Sequence, residues 1–182
     1  MDEFPRHEYK ILRATIKERG TVRAITFLVV IAAWATLGVL LFASGYPIAA
    51  PLLPLMVLVA GFETVFQLHL GVERVGRYVQ VAYEESHEWP AGAGPGWETA
   101  AMAYGNAYPS AGSDPLFARI FLLATLVNLT PLLHFSTARP DVVALLILAH
   151  VVFGVRVLLA KRQAGRQRTD DLARFRELLA RK

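Results

Sequence analysis

The chain has 182 residues, 54% hydrophobic and 19% charged, with 19 Lys and Arg against 15 Asp and Glu, and a mean hydropathy of +0.39. These values are high for a soluble domain and low for a chain lying wholly in lipid, which leaves about half the residues for aqueous parts. With no cysteine, disulfide frameworks, thiolate metal sites, redox dithiols and cysteine nucleophiles are excluded.

In chain order, residues 1–23 form a basic arm. Tyr9, Leu12 and Ile16 recur at helical spacing, with Lys10, Arg13, Lys17 and Arg19 around the other sides, which predicts an amphipathic helix. At the anionic inner leaflet each basic residue gains on the order of 1 kcal/mol. The apolar segment 24–46 comes next. It is longer than the roughly 7 to 15 apolar residues of a secretory signal, so despite the small residues Ala43, Ser44 and Gly45 it reads as an anchor. Segments 51–70, 116–135 and 142–160 are similarly apolar. At 1.5 Å per residue, about 20 residues match a hydrocarbon layer of ~30 Å, so each of the four predicts a transmembrane helix.

Orientation follows from Lys and Arg, which are retained on the cytoplasmic side. Arg6, Lys10, Arg13, Lys17, Arg19 and Arg23 precede the first segment; Lys161, Arg162, Arg166, Arg168, Arg174, Arg176, Arg181 and Lys182 follow the last. Both termini are therefore expected in the cytoplasm of a cell bounded by this inner membrane. The short connections 47–50 and 136–141, which contain only Arg139, face outward, and 71–114, with Arg74 and Arg77, lies inside.

The second segment continues as a helix to residue 88, with Glu73 and Arg77 at the i, i+4 spacing of an exposed ion pair. The Pro- and Gly-rich stretch 90–96 ends it, without the Lys-Ser or Lys-Thr of a phosphate loop. A short helix is expected from Trp97. Tyr83, Trp89, Trp97, Tyr104 and Tyr108 suit headgroup depth, where amphipathic rings partition. In the basic tail, 161–182, Leu172, Phe175, Leu178 and Leu179 form one stripe, again predicting a membrane-surface helix. The base-reading groups of a nucleic-acid surface are absent beside these charges.

Glu8-Tyr9-Lys10-Ile11-Leu12-Arg13-Ala14-Thr15-Ile16 with Arg19, then Val72-Glu73-Arg74-Val75-Gly76-Arg77-Tyr78, then Gly96-Trp97-Glu98 give the chain a pattern that resembles a family of functionally uncharacterised bacterial four-span integral membrane proteins. The resemblance implies a shared four-span design. It implies no activity and carries over no functional residue.

Polar residues inside the spans are the remaining candidates, because they are costly in hydrocarbon and turn toward protein or water. Glu63 lies about 18 Å from the outer end of its span, His150 about 14 Å and Arg156 about 22 Å. These depths predict a cluster of Glu63, Gln67, His150 and Arg156, with Arg119 and Asn128 as additions. The cluster fixes helix packing or, in a functional reading, forms a proton or cation path through Glu63 and His150. A weaker metal candidate is Glu84, His87 and Glu88, since Glu-x-x-His recurs in carboxylate-bridged di-iron bundles; Glu85, Glu98 or a second subunit would have to complete it. Neither Ser44 nor Ser136 sits in a nucleophile turn.

The sequence thus predicts an all-α fold: a single domain, a four-transmembrane-helix bundle with cytoplasmic amphipathic N- and C-terminal helices. It calls for no cofactor and supplies no catalytic residue. The expected role is a membrane scaffold or accessory subunit that associates with itself or another membrane protein. The alternative is an oligomeric channel or small transporter built around Glu63.

Overall fold

A computed structural model of the chain describes residues 3–45, 50–86, 94–108, 114–134 and 139–181. Helix α1 spans Glu3–Ala43, α2 Leu52–Val79, α3 Trp97–Ala107, α4 Ala118–Val127 and α5 Pro140–Ala180; a π-helical turn, Gln80–Glu84, continues α2, and a 3-10 segment, Thr130–His134, follows α4. The fold is all-helical, with no strand among the described residues. Helix α1, α2 with its π turn, and α5 are each long and apolar enough to cross a membrane.

The segment expected at 116–135 differs from a uniform helix. Its α-helical part is ten residues long. The cause is Pro131, which has no N–H to give the Val127 carbonyl four residues earlier. The Thr130 hydroxyl takes over that carbonyl at 2.8 Å, and the Leu129 N–H shortens its reach to Leu126 O at 3.1 Å, so the winding tightens to 3-10. At the other end Phe117 adopts a left-handed φ of 51°. Asp114 accepts from the Leu116 and Arg119 N–H groups there, at 3.3 Å each, answering donors that a helix start leaves open.

The chain forms two compact units, Met1–Thr21 with Leu68–Ser113 and Gln163–Lys182, and Val22–Gln67 with Asp114–Arg162. The second unit is aromatic at its centre. Phe62 meets Phe121 and Phe153 edge-on at centroid distances of 5.2 and 5.9 Å, and Phe27 stacks on Phe117 at 4.1 Å. Gly61 lets α2 approach α1 there, since a Cβ would strike Val30. Such close passage through a small residue is how helices associate in a medium that offers no hydrophobic drive.

In the first unit, both terminal helical segments pack on protein. Tyr9 lies against Tyr83 at 5.6 Å, Phe175 meets the Tyr78 ring at 5.5 Å, and Leu172 is buried. Of the tail stripe predicted for the membrane surface, only Leu178 is exposed by more than half. The difference arises because the neighbouring α2 extension supplies an aromatic face that the stripe can cover.

Candidate functional site

The six polar residues expected within the spans fall into two separate pairs and two outliers. Arg156 grips Glu63 with two parallel bonds, Nε to Oε1 and Nη2 to Oε2, both 2.8 Å. Its guanidinium also lies 4.7 Å from the Phe66 ring centroid, a cation–π arrangement. The fork geometry of arginine suits a carboxylate in this way, and each charge neutralises the other.

Asn128 and His150 make the other pair. The Asn128 Nδ2 donates to Pro51 O at 2.8 Å and meets His150 Nε2 at 2.9 Å, while His150 Nδ1 meets Leu146 O at 2.7 Å. A carbonyl can only accept, so Nδ1 carries the hydrogen and Nε2 is the bare, accepting nitrogen. Three elements, the start of α2, the end of α4 and the middle of α5, are tied by this one amide. Gln67 and Arg119 are exposed and join neither pair among the described residues.

The first unit holds a larger polar assembly. Glu98, in the first turn of α3, accepts from Arg13 of α1 at 2.6 Å and from Arg77 of α2 at 3.4 Å. Arg77 donates on to Gln80 Oε1 at 2.7 Å, and Gln80 Nε2 to Glu85 at 3.0 Å. Glu85 receives a fork from Arg176 of α5, at 2.7 and 3.0 Å. The continuous chain Arg13, Glu98, Arg77, Gln80, Glu85, Arg176 therefore links four helices. Arg77 and Glu98 are only 5% and 8% exposed, so these are desolvated charges whose partners matter. Burial pushes the Glu98 carboxyl up against the opposing pull of Arg77 and Arg13. Around this chain, Tyr78 and Tyr83 both donate to Glu8, and Arg168 and Arg74 pair with Glu73 and Asp171.

Two glycines permit the assembly. A Cβ on Gly76 would lie 2.8 Å from Glu98 Oε2, and one on Gly96 would strike the Glu84 carboxylate. Glu84 itself accepts from the Glu98 N–H at 3.0 Å and from the Thr99 N–H and hydroxyl at 2.8 Å each. It thus serves α3 as an N-terminal cap supplied from another helix. This is the role the structure gives to one member of the metal candidate; His87 and Glu88 lie outside the described residues. Among the described residues no group of three His, Asp or Glu side chains is placed to hold a metal ion. Glu84→Ala is expected to fray α3 and cost about 1–2 kcal/mol, the usual loss for a missing cap. Hydrogen exchange at the Glu98 and Thr99 amides, rising in the variant, would register it.

The π turn sets the spacing of this chain. Glu85 N–H bonds to Gln80 O at 2.8 Å, five residues back, and such single-turn insertions re-aim side chains within a helix. The Arg176 fork holds the Glu85 carboxyl below the usual carboxylate range. Because the folded carboxyl is the stronger acid, the stability it contributes is present above the unfolded value of about 4.3. That contribution is lost as pH falls through the lower, folded value. Protection of the tail amides, measured relative to their intrinsic exchange rates, is expected to fall on acidification below about pH 4, and Arg176→Met should abolish that pH dependence.

The five aromatics expected at headgroup depth separate too. Trp97, Tyr104 and Tyr108 are exposed along α3, with the two tyrosine rings 5.1 Å apart. Tyr83 is instead buried, its hydroxyl spent on Glu8, and Trp89 lies outside the described residues. No family model, curated protein or solved structure matches the chain.

Proposed function

We propose that the protein is a non-enzymatic scaffold or accessory subunit of the inner membrane, with four crossings and both termini in the cytoplasm. The six-residue polar chain carries this reading: it knits α1, α2, α3 and α5 into one unit and leaves the aromatic face of α3 outward. A rigid platform with an exposed aromatic ridge is an interaction surface, since tyrosine and tryptophan are the residues that anchor interfaces. A fourth crossing is supported by length. Ten α-helical residues followed by 3-10 winding, at about 1.5 and 2.0 Å per residue, extend α4 and its continuation to roughly 25–30 Å. The resemblance to four-span bacterial membrane proteins agrees with this design.

Affinity capture from native membranes tests the reading, with Trp97→Ala/Tyr104→Ala as the comparison. The wild type is expected to bring down further copies or a membrane partner, and the variant less of it. Recovery of a lone monomer from both would overturn the proposal. The channel reading is less favoured because both charges of Glu63 and Arg156 are already satisfied by each other. In proteoliposomes the expected proton flux is no greater than leak, for wild type and Glu63→Gln alike.

A further inference from the structure

The Glu63–Arg156 pair occupies an unusual place. Its side chains are 37% and 33% exposed, although both belong to helices apolar enough to cross a membrane. Arg156 is held by the bidentate fork and by the Phe66 ring, so it is not free to extend toward headgroups. About 18 Å along α2 from Pro51, the pair sits well inside a hydrocarbon layer of ~30 Å. A partly open ion pair at that depth is expensive against acyl chains, which offer it no hydrogen bond.

Beside it runs a groove of about 590 Å³ between α2 and α5, with Arg156 at its edge. Met56 and Val59 wall one side, Val152 the other, and the small residues Ala60 and Ala149 also line it. Met56 and Val152 are 65% and 59% exposed. Small residues in such a groove allow a second helix to come close.

We propose that a second copy of this chain covers this groove, related by a two-fold axis that sets the Glu63–Arg156 pair of one protomer against that of its partner. The patch carries both signs, and a two-fold contact places each surface against itself. Arg156 of one copy then faces Glu63 of the other, and the four charges close on themselves away from lipid. Met56 and Val152, on the two walls of the groove, then both lie in the contact with the partner. This rests on the self-associating scaffold proposed above and names the face it uses.

The chain has no cysteine, so single-cysteine variants report directly. Met56→Cys and Val152→Cys are expected to form disulfide dimers on mild oxidation in native membranes, while Leu40→Cys, exposed on α1, forms none. Equal crosslinking at all three positions, or none at Met56 and Val152, overturns the proposal. Glu63→Gln should raise the dimer dissociation constant roughly tenfold. Met56→Trp, which leaves the ion pair intact, should do so by obstruction; an unchanged constant in both counts against the face. If affinity capture recovers an assembly while Met56 and Val152 stay unlinked, the scaffold reading stands and this face is wrong. If capture yields only monomer, both fall.

Discussion

Glu98→Ala is expected to lower the stability of the unit that contains α3 by about 3–5 kcal/mol, the loss typical when one partner of a buried charge pair is removed. Arg13 can turn to water, its side chain being 35% exposed. Arg77 cannot, and its Nε already lacks a hydrogen-bond partner among the described residues. The cost is therefore that of a stranded guanidinium more than of the pair itself. For the same reason Glu98→Leu combined with Arg77→Met is expected to recover most of the loss, since buried pairs replaced together by apolar groups are often near neutral. Thermal unfolding in detergent, read by proteolysis within residues 97–107, would distinguish the single from the double variant. Equal stability of Glu98→Ala and wild type would remove the polar chain from any structural role.

The second large effect belongs to the aromatic centre of the other unit. Phe62 has no exposed surface and contacts rings from α2, α4 and α5. Phe62→Ala is expected to cost about 3–5 kcal/mol, because the neighbours are held by independent helices and cannot collapse into the space. In lipid this loss is of packing contacts, which are the main force joining such helices. Phe62→Leu should retain more than half of the stability difference, with denaturant titration in micelles as the measure. A loss below about 1 kcal/mol for Phe62→Ala would mean that the centre relaxes freely.

The long helices are legible in the sequence because run length and charge distribution act on whole segments. The inner pairs are legible only in part. Counting residues along a helix gives the depth of Glu63, Arg156, Asn128 and His150, but rotation about the axis decides which depth-matched groups meet. Hence one expected cluster resolves into two pairs, and Gln67 turns outward. The shortening of α4 has a visible signal in Pro131. The chain from Arg13 to Arg176 has almost none, since its members are separated by 85 residues at Arg13 and Glu98 and by 91 at Glu85 and Arg176. Its nearest traces are Gly76 and Gly96, whose missing side chains leave room for two carboxylates.

At Asn128 and His150, three hydrogens, two on the amide and one on the ring, face three acceptors: Pro51 O, His150 Nε2 and Leu146 O. Each of these three hydrogens has its own acceptor. This arrangement also makes the two ring nitrogens magnetically unlike, so nitrogen-15 spectra of His150 in isotope-enriched protein would serve as a built-in gauge of whether α2, α4 and α5 have come together.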